Sequence, residues 1–367
     1  MVSKKRSVKK TVRKKVGQVV HKSGKLRAPN PLRSRSRSVP VIDFHAHIVV
    51  PEVRAFSQGH VVNTSASRDA GAPEAVRAAA QKWIAEVNRK FSDYHERLRI
   101  MDDIGVDIQV LTPSLVHQYT YWAAPEASLA MERLTNDRLA EAVAIAPHRF
   151  IGLGGVPLQA PDLAVQELER CMGELGFKGV EISSHAEGFE LGDPRLRPFW
   201  DAVVRLDALV YLHPSGVVDP RYARHQIWNS IGQPLEEAMA MASLIYEGVM
   251  EAYPKLKICI AHGGGYLPFY AGRVDHNYLD KPFTLTHMSK SPSDYMRGNF
   301  WYDSCLYNVD MLENLVRKVG SSRIVLGSDY PVGESDPVGF IRSAKGLTRA
   351  EQMAILGGNG AALLGLS

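Results

Sequence analysis

The chain has 367 residues, 45% hydrophobic and 23% charged, with a formal net charge of +5. That balance suits a soluble protein with one large α/β domain, and no uncharged apolar run reaches the roughly 18–20 residues that a membrane helix needs. The positive charge is local: residues 1–42 carry 14 Lys and Arg and no Asp or Glu, leaving 30 basic against 39 acidic groups beyond them, a net of −9 that opposes nucleic-acid binding by the body.

Residues 1–38 lack the apolar stretch of a secretory signal and hold too few apolar residues to pack. They are expected to be a disordered basic extension, either simply solvated or an arm for nucleic acid or another anionic surface. Residues 39–367 are expected to form one domain. Its first strand is "VPVIDFHAHIV". A connection of about 40 residues, 51–92, follows, with a helical pattern in "APEAVRAAAQKWIAEVNRK". Connections of that length usually close over sites, so 51–92 is read as a lid insertion.

Strand-like and helix-like segments then alternate. The helical "YHERLRIMDDIG" leads to the strand "VDIQVLTPS", and "EASLAMERLTNDRLAEAVAIAP" leads to "FIGLGGVPL". "LAVQELERCMGELG" leads to "FKGVEISS", and "LVYLHPS" is the fifth strand. "PLEEAMAMASLIYEGVMEAYP" leads to "KICIAHGGG", and "NFWYDSC" and "RIVLGSDYPV" complete a set of eight. Most of the strands are apolar on both faces, as a parallel sheet covered by helices requires. Eight β-then-α units predict a (β/α)8 TIM barrel. The alternative is an open doubly wound sheet, but no GxGxxG follows the first strand.

The polar residues fall at strand ends. On a regular strand Asp43, His45 and His47 share one face, predicted to look into the barrel, while Phe44, Ala46 and Ile48 face the helices. A lone HxH is weak evidence for a metal, because two histidines satisfied by hydrogen bonds look the same. Here the signal recurs, with His213 ending strand five, His262 ending strand six and Asp329 ending strand eight. Barrel closure brings these ends together, and a shared cation explains several buried polar groups jointly. Imidazole and carboxylate donors suit one divalent ion, zinc first, with Mn2+, Co2+ or Fe2+ also compatible. No Cys sits at a strand end facing the mouth. Cys171, Cys259 and Cys305 are odd in number and widely spaced, which implies no disulfide framework and fits a reducing cytoplasm.

The set "FHAH", "LHP", "AHGGG" and "LGSDYP" resembles the amidohydrolase superfamily. Longer stretches, among them "YWAAPE", "NDRLA", "PHRFIGLGGVPLQAPDLAVQELERCMGELGF", "YPKLKICIAHGGGYLPFYAGRVDH" and "GNGAALLGL", are similar to its metal-dependent decarboxylases of the aminocarboxymuconate semialdehyde decarboxylase type. The likeness runs from about residue 40 to the C-terminus. It implies metal ligands His45, His47, His213 and Asp329, with His262 as the acid/base beside them. It also implies that Arg273 reaches into a neighbouring subunit to grip a substrate carboxylate, hence a homodimer. The chain departs from that pattern where substrate is met. Two lid arginines are reduced to Arg89, one position out of register. Ser215 replaces a Trp, and Trp228 stands one place from a second. Two-metal relatives carry a modified Lys at the end of strand four, but here that end reads "VEISSH", so a single metal is implied and Glu181 and His185 are read as structural or rim residues. The expected activity is decarboxylation of a small aromatic or unsaturated carboxylic acid, with hydrolysis or hydration of a similar acid as the alternative. Asp303 is read as a structural hydrogen-bonding group, and His117 and His225 as candidates to line the pocket. The lid and the loop 215–233 are expected to set the substrate.

Overall fold

A computed structural model describes residues 39–60, 73–216, 220–222, 227–281 and 287–366. The basic extension 1–38, His225 and parts of the lid and of the loop 215–233 (61–72, 217–219 and 223–226) lie outside the described residues.

The predicted strands form a ring of parallel neighbours. They are β1 Ile42–Ile48, β2 Ile108–Pro113, β3 in two pieces (Phe150–Gly152 and Gly154–Gly155), β4 Gly179–Ile182, β5 Leu209–Leu212, β6 Lys257–Ile260, β7 Phe300–Asp303 and β8 Ile324–Val325. Each pairs with the next in chain order. The ring closes between β8 and β1. Phe44 N donates to Leu326 O at 2.8 Å, His47 N to Tyr330 O at 2.9 Å, and Tyr330 N to His45 O at 3.0 Å. β8 is short because the chain turns away at Gly327 to present Ser328 and Asp329.

Helices cover the outside, including Tyr94–Ile104, Pro125–Ile145, Pro161–Gly173, Arg197–Arg205 and Val309–Val319. The pattern "PLEEAMAMASLIYEGVMEAYP" forms two helices, Gln233–Tyr246 and Val249–Ala252. Gly248 between them takes φ 73°, a left-handed conformation that ends the first helix. No helix among the described residues is long and apolar enough to cross a membrane. The lid contributes the helices Pro51–Phe56 and Glu74–Ser92. Of the second, only Val87 and Phe91 are buried, packed against Val49. The lid helix is therefore anchored near its C-terminal end, while Val76 and Trp83 stay exposed.

β1 departs from the predicted alternation. Its register against β2 slips between Asp43 and Ala46, so Asp43 pairs with Gln109 and His47 with Thr112. Ile42 and Phe44 consequently join Val110, Leu209, Tyr211, Cys259 and Val325 in an apolar cluster drawn from strands all round the ring, which only the barrel interior can assemble. Ala46 and Ile48 belong to the larger layer between strands and helices. Phe44 was expected beside those two, and Asp43 beside the histidines. The bulge reverses both, because one extra residue exchanges the faces beyond it. The inner cluster also takes in Leu363 and Leu364 from the last helix, Asn359–Leu364.

Candidate metal centre and active-site cavity

Each candidate ligand sits where an apolar strand ends. His45 lies in the β1 bulge and His47 just past it, His213 follows β5 and Asp329 follows β8. All four side chains are buried, and one ligand atom from each lies within 4.8 Å of the others. Asp329 adopts φ 58°, an unusual left-handed conformation for a non-glycine residue.

The hydrogen bonds behind the histidines fix which nitrogen each presents. His45 Nδ1 lies 2.6 Å from Asp303 Oδ2. His47 Nδ1 meets Thr112 Oγ1 at 2.9 Å and the Pro113 carbonyl at 3.3 Å. With both Nδ1 protons donated outward, each Nε2 offers a lone pair. These two nitrogens face each other at 3.1 Å, and Asp329 Oδ1 lies 3.4 and 3.3 Å from them. Three electron-pair donors this close, with little water to separate them, repel unless a cation lies among them. Outward hydrogen bonds of this kind are what orient metal-binding imidazoles. His213 Nδ1 is buried with no partner among the described residues. The residues therefore fit a divalent ion.

Electrostatics agree with that use. Burial lowers the pKa of His47 and, reinforced by the neighbouring imidazoles, lowers that of His213 well below the usual value, so both stay neutral. Burial works to raise the Asp329 pKa, but His45, His262 and His47 outweigh it and hold the carboxyl well below the usual range.

His262 stands beside the cluster, with Nε2 3.8 Å from Asp329 Oδ2. Its Nδ1 lies 2.5 Å from Glu237 Oε1, a buried carboxylate on the helix Gln233–Tyr246. Burial alone would lower the His262 pKa, yet Glu237 and Asp329 carry it well above the ordinary imidazole value. His262 is thus equipped to hold and deliver a proton. The "HGGG" run turns the chain there, with Gly263, Gly264 and Gly265 all at positive φ. A Cβ on Gly265 would lie 2.1 Å from the Pro234 carbonyl oxygen, so glycine is required for that approach.

A cavity of 440 Å³ opens from the ligands. His47, His213 and Asp329 reach it from the barrel, Trp83, Val87 and Phe91 from the lid, and Trp228 and Gln233 from the segment after β5.

The chain matches the amidohydrolase family model over residues 42–366. It belongs to the amidohydrolase family. It is 36% identical to a 2-amino-3-carboxymuconate-6-semialdehyde decarboxylase of Dictyostelium discoideum over 78% of this chain and 80% of the relative. It is 30% identical to a gamma-resorcylate decarboxylase of Rhodococcus jostii over 89% and 98%. Among solved structures, a dihydroxybenzoic acid decarboxylase from Polaromonas with bound manganese and 2-nitroresorcinol superposes with a TM-score of 0.74 at 26% identity, over 89% of this chain and 97% of that one.

In this amidohydrolase, His45, His47, His213 and Asp329 come together with His262 at their side. Trp228 lines the cavity, as does His117. Arg89 does not. It is half exposed and ion-paired with Glu96 at the surface. Arg273 is exposed on the helix Ala271–Asp280 and does not line this chain's cavity. Sequence reasoning missed Glu237, which looks like any acidic residue on an amphipathic helix. Asp303, read as a structural hydrogen-bonding group, is one, and its partner is His45 Nδ1.

Proposed function

We propose that this protein is a metal-dependent carboxy-lyase that removes CO2 from a small aromatic or unsaturated carboxylic acid. The observation that carries the proposal is the convergence of three imidazoles and one carboxylate on one point, with the His262–Glu237 pair beside them and a 440 Å³ cavity opening from the cluster. The decarboxylase names of its relatives support the same reaction class.

His45, His47, His213 and Asp329 would hold one ion, zinc on donor chemistry, with manganese the alternative raised by the Polaromonas enzyme. When bound, such an ion supplies Lewis-acid stabilisation of negative charge on the substrate's oxygens. His262 delivers its Nε2 proton to the carbon that bears the leaving carboxylate. As the C–C bond to CO2 breaks, that bond's electron pair returns to the protonated unsaturated system and CO2 departs. Glu237 fixes the imidazole's direction and carries the charge complementary to its protonated form. Val87 and Phe91, buried at the anchored end of the lid helix, keep water from the reacting carbon.

The same reading treats residues 39–367 as one catalytic domain, 51–92 as its lid and 1–38 as a basic appendage, in a cytoplasmic homodimer. Support for the dimer is that Arg273 lies outside its own cavity, on a face that exposes Tyr266, Tyr270 and Leu279. Support for the location is that all three cysteines are free and buried.

Elemental analysis of purified protein, followed by a CO2-release screen of aromatic and dienoic acids, tests the proposal. One divalent ion per chain and CO2 from at least one acid are expected, with His262→Ala inactive but metal-loaded. Consumption of an acid by hydration or hydrolysis without CO2 would overturn it.

A further inference from the structure

Among the described residues, Arg54 is the only Arg or Lys that lines the cavity. It lies on the helix Pro51–Phe56, just beyond the end of β1, so it is carried by the same strand that presents His45 and His47. Its Nη1 donates to Asn88 Oδ1 on the lid helix at 2.8 Å. Among the described residues it forms no other side-chain hydrogen bond and no ion pair. A guanidinium carries five N–H donors, so most of its capacity is uncommitted among the described residues. Arg89, by contrast, is ion-paired with Glu96 at the surface and does not line the cavity.

A partly buried guanidinium without a counter-ion loses hydration and gains nothing in return. Bracing the lid through Asn88 is one use, but a neutral side chain would serve there as well. Among the described residues the wall around Arg54 is otherwise apolar or uncharged, apart from the centre itself, with Trp83, Ile84, Val87, Phe91 and Trp228 offering ring-sized flat contact. Such a site favours a flat acid bearing charge in two places.

We infer that Arg54 selects the substrate: it binds a second oxyanion, a carboxylate or ionised phenol, remote from the carboxylate engaged at the metal centre. This rests on the carboxy-lyase reading for the placement of the first carboxylate. Planar, forked pairing of guanidinium with an oxyanion is both strong and directional.

Benzoate and isophthalate are suitable probes, since they differ by one carboxylate. Binding to metal-loaded full-length protein is read by fluorescence, because Trp83 and Trp228 line the cavity. Isophthalate should bind at least about tenfold more tightly than benzoate to the parent protein, as one charge-assisted pair is worth about that factor. In Arg54→Met that margin should vanish while benzoate affinity stays unchanged, and Arg54→Lys should keep part of it. Asn88→Ala, which removes the brace but leaves the charge, should retain the margin. Metal content and circular dichroism establish that each variant is folded. A margin that survives in Arg54→Met, no margin in the parent protein, or equal loss in Asn88→Ala would overturn the assignment. Chelation separates the two claims. Benzoate binding that needs the metal, with a margin indifferent to Arg54, removes the Arg54 assignment alone. Benzoate binding that ignores the metal, with a margin that follows Arg54, leaves Arg54 standing and removes the metal-anchored reading.

Discussion

Asp303 holds the centre from behind. Besides His45 Nδ1, its carboxylate accepts the Tyr211 hydroxyl at 2.8 Å and the backbone N–H groups of Cys305 and Gly263 at 3.1 and 3.2 Å. Asp303→Asn keeps the shape but weakens the hold on the imidazole, and metal affinity should fall about 10- to 100-fold by competition with a chelating indicator. Glu237 pairs with His262, the proposed proton donor, and not with the ligands. Glu237→Gln should lower kcat by about 10- to 100-fold with metal content unchanged. A purely structural role would instead reduce thermal stability and leave kcat per folded molecule intact. Glu132 shows the opposite sign of electrostatics, away from the ligands. Burial pushes its carboxyl up to about 7, against the hydrogen bond from Thr120 and with Glu167 adding to the rise. A carboxyl with a raised folded-state pKa binds its proton more tightly when folded. Its stabilising share is therefore fully present below its usual pKa and lost as pH rises toward 7. The total loss, from the usual pKa upward, is about 3 kcal/mol, of which about 2 kcal/mol falls between roughly pH 5.5 and 8. Urea midpoints at those two pH values should drop more in the parent protein than in Glu132→Gln. Equal drops would show that Glu132 is not the source.

At the scale of elements, two backbone departures make the site: the bulge in β1 and the glycine turn after β6. Gly265→Ala places a methyl against the Pro234 carbonyl at a positive φ, directly beside Glu237. Strain of about 1–3 kcal/mol should lower the melting temperature and, by displacing the Glu237–His262 pair, cut kcat more than KM. These same elements show what the sequence could convey. The barrel was legible because eight apolar runs alternate with helical patterns, and the ligands were legible because apolar runs ending in His or Asp are costly without a purpose. The bulge was not, since a single extra residue leaves no trace in composition and only the slip between the pairs Asp43–Gln109 and Ala46–Leu111 reveals it. Glu237 was hidden because its meaning depends on a partner 25 residues further along the chain. The lid was legible as a long insertion but not as a surface. Whether Arg54 or Arg89 faces inward depends on how the helices Pro51–Phe56 and Glu74–Ser92 pack, and neither periodicity specifies it.

At the scale of the whole molecule, charge and metal act on different parts. The body's net charge of −9 beyond residue 42 means that any affinity for polyanions should reside in residues 1–38, so deleting them should abolish retention on heparin and leave CO2 release unchanged. The metal acts on closure of the ring. β8 has only two residues, and its junction with β1 rests on a few backbone bonds around Phe44, His47 and Tyr330. His45 and His47 stand on one side of that junction and Asp329 on the other, so an ion held by all three ties the last strand to the first across 284 positions of sequence. Binding to the folded state alone stabilises it by about 4 kcal/mol when free metal exceeds Kd a thousandfold. Chelation should therefore lower the melting temperature, and the loss should not be uniform. Amide hydrogen exchange should accelerate most at Phe44, His47 and Tyr330 and least in the well-paired β4, β5 and β6. If exchange rises equally in all strands, the ion stabilises the fold as a whole and the junction between β8 and β1 is not its particular point of action.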